Sequence, residues 1–169
     1  MAHLTEKTPD TSSVTMTQLV LPSHANALGT VFGGTILSWI DIAAAIAAGR
    51  HARRTVVTAS LDAVHFIAPV RVGFVVQIKA SVNFASRTSM EVGVRVDSEN
   101  PLTGEIRHTV TAYTTFVALD DLGKPTPVPA IAPETPEQQR RFQQAQQRRA
   151  SRIRLAEELR AQESHSGKN

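Results

Sequence analysis

The sequence VFGGTILSWIDIAAAIAAGRH, residues 31–51, decides the fold. From Thr35 to about His51 it is rich in alanine and carries apolar residues on nearly every side. This pattern predicts a helix that is buried rather than amphipathic. A helix of about 17 residues would span roughly 25 Å.

The chain on both sides of this helix has the pattern of β-strands. Residues 14–21 are apolar and β-branched, and four further runs follow at residues 55–66, 76–84, 90–96 and 106–119. Short breaks between the later runs predict antiparallel hairpins. Because one apolar helix and one antiparallel sheet must cover each other, the predicted class is α+β. The expected architecture is the hotdog fold, in which the sheet wraps around a long central helix.

The two ends of the chain differ from this domain in composition. Residues 1–13 show no periodicity and are expected to form a disordered tail. The hotdog domain is expected over residues 14–122. A proline-rich linker over 123–136 and a charged helix with its tail over 137–169 should follow.

The C-terminal segment is rich in arginine, although the formal net charge of the chain is only +3. The seven arginines concerned are Arg140, Arg141, Arg148, Arg149, Arg152, Arg154 and Arg160. Such a cluster can indicate nucleic-acid binding or simply a solvated helix. Interleaved glutamate and glutamine, with no accompanying aromatic motif, favour the solvated helix. Nucleic acid is therefore not an expected partner.

Several kinds of protein are disfavoured by composition. The chain has no cysteine, which excludes disulfides, a thiolate nucleophile and a cysteine-bound metal. The histidines show no metal-binding spacing, so neither a metal nor another cofactor is expected. The polar N-terminus predicts no secretion signal, and no apolar run reaches about 18 residues. The expected location is the cytoplasm, away from membranes.

Two features of the helix indicate chemistry. Gly33 and Gly34 precede it, where backbone N–H groups lack helical partners and could stabilise an oxyanion. The glycine pair could equally be needed for close packing. Asp41 is a carboxylate inside an apolar helix, which is unfavourable unless the group is paired or used. It could act as a general base, as a nucleophile or as a structural acceptor.

The spacing of these residues predicts a dimer. Gly34 and Asp41 are seven positions apart, about 10 Å along a helix axis. A single reacting carbon can hardly contact both within one chain. Two antiparallel helices related by a two-fold axis would bring Gly34 of one chain near Asp41 of the other, giving two equivalent sites.

The segment 21–44 carries the pattern Asn-x-x-Gly…Phe-Gly-Gly…Asp. It resembles the signature of hotdog-fold acyl-CoA thioester hydrolases, the YciA and brain-type acyl-CoA hydrolase group. Segments 56–62, 65–73 and 86–90 agree, so the likeness covers about residues 14–120. One departure is Phe74, where the family often has an acidic residue. The resemblance implies hydrolysis of fatty acyl-CoA without a metal, by homodimers that often assemble as trimers of dimers.

The resemblance also implies roles for individual residues. Asp41 matches the catalytic carboxylate, which activates water or attacks the thioester directly. Asn26 and Gly34 match residues supplied by the partner subunit, for positioning and for oxyanion binding. The further residues expected to contact substrate or CoA are Gly33, Arg87, Thr88, Ser89, Thr58 and His24. The alternatives are an exposed turn for Arg87 and structural roles for the histidines.

Two other functions remain open from the sequence: a non-catalytic hotdog sensor that binds acyl-CoA, and a hotdog acyl-CoA dehydratase. The joint presence of Asn26 and Asp41 disfavours a sensor, which needs no base. The helix lacks the glutamate typical of the dehydratases. The sequence does not set the acyl chain length.

Overall fold

The structure is a computed structural model that describes residues 5–166, with side chains described up to residue 163. The chain divides into two compact units, Met1–Ala132 and Pro133–Asn169. The first unit contains one long helix and six strands. Their bounds are β1 (Val14–Leu19), α1 (Gly33–Ala52), β2 (Thr55–Leu61), β3 (His65–Phe66), β4 (Val75–Ala85), β5 (Ser89–Glu99) and β6 (Ile106–Leu119).

The six strands form one antiparallel sheet in the order β1-β4-β5-β6-β2, with β3 pairing beside β2 on β6. β4, β5 and β6 are joined by hairpins, as the alternating runs predicted. The helix α1 contacts five of the strands and packs against one face of the sheet. The predicted hotdog fold is therefore confirmed.

The core lies between α1 and the sheet, and its side chains are small or β-branched. Such side chains fill the gap at close packing, and each buried valine or isoleucine contributes about 1.5–3 kcal/mol. Fully buried residues on the helix are Ile36, Ile40, Ala43, Ala44, Ala47 and Ala48. Their counterparts on the sheet include Val76, Ile78, Val82, Val92, Val96, Val110, Ala112 and Ala118.

One face of α1 is not covered in the protomer. Asp41 is exposed, and Ile42 and Ile46 expose 47% and 42% of their surface. The expectation of a helix buried on all sides is therefore wrong for a single chain. The sheet covers only the face that carries Ile36 and Ile40, and among residues 5–132 nothing else covers Asp41, Ile42 and Ile46 on the opposite face.

The predicted strand over residues 55–66 is divided into β2 and β3. Both strands pair with β6, but Leu61 faces Thr114 and His65 faces Thr111. Between these two pairs, residues 62–64 therefore lie opposite only residues 112 and 113 of β6. The extra residue breaks the ladder, and the Asp62 N–H instead donates to the Tyr113 carbonyl at 3.0 Å.

The N-terminal segment is ordered, contrary to the expected disordered tail. A 3-10 helix spans Pro9–Ser12, and Ser12 is fully buried. The Ser12 hydroxyl donates to the Pro9 carbonyl at 2.7 Å and accepts from the Val82 N–H at 2.9 Å. These bonds fix the segment to β4. Residues 1–4 of the predicted tail lie outside the described part of the chain.

The proline-rich segment belongs largely to the first unit, which ends at Ala132 rather than near residue 122. The Thr126 N–H donates to the Ala118 carbonyl at 2.9 Å, and the Val128 N–H donates to the Arg87 carbonyl at 3.1 Å. Val128 is buried as well. An extended chain can bond and bury alternate residues even when prolines occupy the others.

The second unit is the predicted charged helix, α2 (Pro136–Ser166). The Thr135 hydroxyl accepts from the Gln138 N–H at 3.2 Å, and Gln138 Oε1 accepts in return from the Thr135 N–H at 3.3 Å. This reciprocal pattern caps the start of the helix. Residues 167–169 lie outside the described range. Among the described helices, none is both long and apolar enough to cross a membrane.

Candidate active site

The carboxylate of Asp41 is oriented by a hydroxyl from the neighbouring strand. The Thr58 hydroxyl donates to Asp41 Oδ1 at 2.8 Å. Both side chains are exposed in the protomer, so the expected buried carboxylate is not observed there. No other hydrogen bond to the Asp41 carboxylate is found among residues 5–166. Its second oxygen can therefore accept a proton from a ligand or a water molecule.

Thr58 lies on the outermost strand of the sheet at a local irregularity. β2 pairs with β6 on one side only, and its register shifts between Thr58 and Ser60. Such a bulge bends the strand and changes the direction of its side chains. Val57 and Leu61 on the same strand are exposed to 42% and 41%. Asp41 and Thr58 thus stand beside an open, partly apolar sheet edge.

Asn26 lies in the loop before α1, and its side-chain oxygen is fully used. Oδ1 accepts from the Leu28 N–H at 2.9 Å, from the Thr30 N–H at 3.3 Å and from the Thr30 hydroxyl at 3.2 Å. The loop is closed further by the Asn26 N–H, which donates to the Thr30 carbonyl. Only the side-chain NH2 group remains for a ligand, so Asn26 can act as a hydrogen-bond donor.

The first amides of α1 are available as donors. Phe32 precedes the helix without a side-chain cap, and its own N–H donates to the His24 carbonyl at 2.8 Å. Within the described residues, the N–H groups of Gly33 and Gly34 have no hydrogen-bond partner. Free amides at a helix N-terminus attract negative charge. This arrangement can stabilise an oxyanion, as predicted for Gly34.

The two glycines differ in how closely an aromatic ring approaches them. A methyl group on Gly34 would overlap the ring of Phe32, and one on Gly33 would lie 3.4 Å from Phe66 Cζ. The oxyanion and packing interpretations of the glycine pair are therefore compatible. The ring of Phe32 can lie in this position because Gly34 has no side chain, whereas a methyl group on Gly33 would be in ordinary van der Waals contact with Phe66.

His24 is held by the loop and by the helix. Its ring meets the ring of Trp39 edge-on, with centroids 5.1 Å apart. Its Nδ1 accepts from the Leu21 N–H at 3.2 Å. These contacts orient the loop that carries Asn26 and leave Nε2 as the ring atom that could still meet a ligand. His65, the other histidine considered from sequence, is exposed on β3 and pairs with Thr111.

The hairpin between β4 and β5 presents Arg87 on a fixed turn. The Ser86 N–H donates to the Ser89 carbonyl at 2.8 Å, and their hydroxyls are 2.9 Å apart. The Thr88 carbonyl accepts from the Ala118 N–H at 3.0 Å. The backbone is thus held on both sides while the Arg87 side chain is exposed. A guanidinium on a rigid turn suits a phosphate ligand.

A cavity of about 270 Å³ opens beside the start of α1. Its walls include Gly33, Ile36, Phe66, Val70 and Thr109. Sequence reasoning did not identify this cavity. The signal available was the apolar run from Phe66 to Ala68, which starts at the last residue of the strand predicted over 55–66.

The predicted site residues fall into two groups within one protomer. Thr58 pairs with Phe116, and Phe116 pairs with Met90, so Asp41, Thr58 and the Arg87 hairpin occupy one end of the sheet. Asn26, Gly33, Gly34 and the cavity lie at the start of α1. Gly34 and Asp41 are separated by about 10 Å along the helix. Within one chain the predicted site residues therefore lie in two separate places, called the two half-sites below.

Metal-binding groups were also sought. Within the described residues, no cluster of three or more histidine, aspartate or glutamate side chains is placed to hold a metal ion.

Comparison with known proteins agrees with the fold. The thioesterase superfamily profile matches residues 28–105. An uncharacterised acyl-CoA thioester hydrolase of Bacillus subtilis is 44% identical over 137 residues, which cover 78% of this chain and 80% of the relative. A hexameric acyl-CoA thioesterase superposes with a TM-score of 0.88 at 43% identity, over 90% of this chain and 98% of the other.

An acyl-CoA hydrolase of Staphylococcus aureus, solved with butyryl-CoA and CoA, superposes with a TM-score of 0.82 at 36% identity. The match covers 92% of this chain and 98% of the other. Structures of that enzyme also exist with an asparagine, an aspartate or a threonine replaced by alanine. The three replaced residues are 15 and 17 positions apart, as are Asn26, Asp41 and Thr58 here.

The fold and the two half-sites define a hotdog thioesterase. The chain belongs to the acyl-CoA thioester hydrolases of the thioesterase superfamily.

Proposed function

We propose that the protein hydrolyses acyl-CoA to a free carboxylic acid and CoA. The observation that carries this proposal is the Asp41 carboxylate, oriented by Thr58 on a helix whose first amides are free. A proton acceptor and an oxyanion binding site are the two elements that thioester hydrolysis requires. The relatives named acyl-CoA hydrolases support the substrate class.

In the reaction, Asp41 accepts a proton from water while the water oxygen bonds to the thioester carbon. The carbonyl oxygen becomes an oxyanion, which the Gly34 N–H stabilises. Collapse of this intermediate breaks the carbon–sulfur bond, and the protonated Asp41 returns its proton to the departing thiolate. In the alternative route, Asp41 attacks the carbonyl itself, expels CoA thiolate and forms an anhydride that water then hydrolyses.

The proposed site is shared between two chains. Asp41 and Thr58 come from one protomer, and Asn26 and Gly34 from its partner, because about 10 Å separates the two groups within one chain. Support comes from the open edge of β2 and from the exposed apolar face of α1. An exposed edge strand with apolar side chains favours pairing with another chain. A two-fold axis there gives two equivalent sites.

The Asn26 NH2 group then donates to the thioester carbonyl or to the attacking water. Arg87, Thr88 and Ser89 contact the phosphates of CoA, and His24 and Gly33 line the opening. The exposed guanidinium on a fixed hairpin supports the phosphate contact.

The larger assembly proposed is a trimer of dimers, which the hexameric form of a relative supports. A cytoplasmic location, the absence of a cofactor and the absence of a nucleic-acid partner stay predictions.

The test is release of free thiol from acyl-CoA, measured with a thiol reagent. Wild-type protein should release CoA, and Asp41→Asn should lower kcat about 1,000-fold, within the range for a general base. Asp121→Asn, in an exposed turn, is the matched control and should keep full activity. A wild type that releases no CoA from any acyl-CoA, or a fully active Asp41→Asn, would refute the proposal.

A further inference from the structure

Two cavities share a lining residue, and the side chains that line them differ in chemistry. The first, of about 270 Å³, is largely apolar, with Ile36, Phe66 and Val70 among its walls. The second, of about 290 Å³, is lined mainly by polar and charged residues: Arg71, Phe74, Ser98, Asn100, Glu105 and Arg107. Pro69 lines both cavities.

Besides Pro69, a hydrogen-bonded pair of hydroxyl side chains forms the partition proposed between them. Thr109 lines the apolar cavity and Ser98 lines the polar one. The Thr109 hydroxyl donates to Ser98 Oγ at 3.1 Å, and the two residues expose only 1% and 3% of their surface. Thr109 and Ser98 stand on the paired strands β6 and β5, so the backbone holds the partition in place.

We propose that the apolar cavity holds the acyl chain of the substrate and that the Thr109–Ser98 pair is the floor that limits chain length. This inference rests on the proposed function, because it places the thioester carbonyl at the Gly34 N–H. Gly33, the adjacent residue, lines the cavity. An acyl chain that extends from the carbonyl carbon towards Gly33 enters the cavity directly. The apolar surface of the chain is then removed from water.

The size of the cavity sets the substrate class. A methylene group is close in size to a water molecule, whose share of liquid volume is about 30 Å³. The cavity of about 270 Å³ therefore accommodates on the order of nine chain carbons. Short- and medium-chain acyl groups fit within it.

A longer acyl chain would contact the Thr109–Ser98 pair, the proposed floor of the cavity. Beyond the floor, hydrocarbon would displace water from the charged groups Arg71, Glu105 and Arg107, with no compensating hydrogen bonds. The ion pair between Glu105 and Arg107, at 2.7 Å, lies at the surface of that second cavity. The polar cavity is thus a poor extension for a hydrocarbon chain.

The experiment changes the cavity in both directions and measures kcat/KM for saturated acyl-CoA from butyryl to palmitoyl. Thr109→Ala lowers the floor, so the ratio of dodecanoyl to octanoyl turnover should rise about tenfold, the effect of one or two methylene contacts. Ala68→Leu fills the cavity from its side wall, so the ratio of octanoyl to butyryl turnover should fall by a similar factor.

Two controls separate volume from other effects. Thr109→Val loses the hydrogen bond to Ser98 but keeps the volume, so it should keep the wild-type length profile. Thr111→Ala removes the same atoms from the same strand at a position that lines neither cavity, and it should also leave the profile unchanged.

Length profiles that stay the same in Thr109→Ala and Ala68→Leu would overturn the inference while leaving the proposed function intact. Uniform loss for every acyl length in Ala68→Leu would also overturn it and would place the pantetheine arm in the cavity instead. If wild type releases no CoA, the proposed function fails separately. The binding of non-hydrolysable thioether analogues of the same lengths then still tests the floor.

Discussion

The start and the middle of α1 carry different chemical groups that could act on a thioester. The start provides donors and space: the free amides of Gly33 and Gly34, the Asn26 NH2 group and an apolar cavity. The middle provides an acceptor, Asp41, oriented by Thr58 beside an open sheet edge. Hydrolysis needs both, and about 10 Å of rigid helix keeps them apart in one chain. The difference teaches that folding and catalysis place different demands on the chain: one protomer completes the fold, whereas the proposed function calls for a pair.

The largest expected effect comes from preventing that pairing. Val57→Asp places a charge on the exposed edge of β2, where a partner strand would have to cover it. The variant should be monomeric and lose about 1,000-fold in kcat, as when the catalytic base is removed. Sedimentation gives the assembly state, thiol release the activity and circular dichroism the fold. A folded monomer with wild-type turnover would mean that one chain is sufficient.

The next largest effect is expected at the start of α1, where the hydrogen-bond donors lie. Asn26→Asp keeps the oxygen that closes the loop with Leu28 and Thr30 but removes the NH2 donor. We expect kcat to fall about 100-fold, as for loss of an oxyanion donor, with no change in melting temperature. Asn26→Ala removes both functions and should lower the melting temperature as well. Equal activity in wild type and Asn26→Asp would restrict Asn26 to loop closure.

A smaller effect is expected in the middle of α1, where the acceptor Asp41 lies. Thr58→Val removes the hydroxyl that donates to Asp41 but keeps the shape of the side chain. A hydrogen bond to a charged group contributes about 1.5–3 kcal/mol, so kcat should fall at least about tenfold. Thr58→Ser keeps the hydroxyl and should retain most of the activity. If valine and serine behave alike, the hydroxyl does not orient Asp41 during catalysis.

The smallest effect concerns the end of α1, which belongs to neither half-site. His51 is fully buried, and its Nε2 lies 2.8 Å from the Pro129 carbonyl. Burial lowers the pKa of His51 below its usual value, with a smaller opposing effect of that hydrogen bond and a further lowering from Lys7. Below the ordinary histidine pKa of about 6.5, the unfolded chain therefore binds a proton that the folded chain does not.

The free energy of unfolding should accordingly decrease as the pH falls through about 6.5. Urea unfolding between pH 8 and pH 5 measures this slope. His51→Gln, which cannot titrate, should show a flatter profile, while its kcat at pH 8 should match wild type. A pH profile of stability that is unchanged by His51→Gln would assign the slope to other groups.

The fold followed from the sequence because its periodicities are strong. The alternation from Val76 to Phe84 predicted β4, and the apolar segment after Gly34 predicted the buried side of α1. The sequence pattern did not show that Asp41 and Ile42 would be exposed in one chain. Apolar residues at a chain interface have the same composition as those in a core, so periodicity alone does not distinguish them.

Other parts of the structure depend on contacts between distant residues. Ser12 is anchored by an N–H on β4, 70 positions away, so local composition predicted only a tail. The cavity beside Gly33 depends on where β3 and β6 meet the helix. The site residues Asn26, Gly34 and Asp41 were identified from their chemical types and from family resemblance. The Asp41–Thr58 hydrogen bond and the saturated oxygen of Asn26 required the structure.

The most direct measurement of the shared site is complementation between two inactive variants. Asp41→Asn and Asn26→Asp chains are unfolded together, refolded as an equal mixture and assayed for CoA release. In a two-fold dimer, half of the pairs are mixed and each mixed pair contains one intact site, so activity should return to about 25% of wild type. Activity no higher than the sum of the separate variants, in a mixture shown to contain mixed dimers, would contradict a site shared between chains.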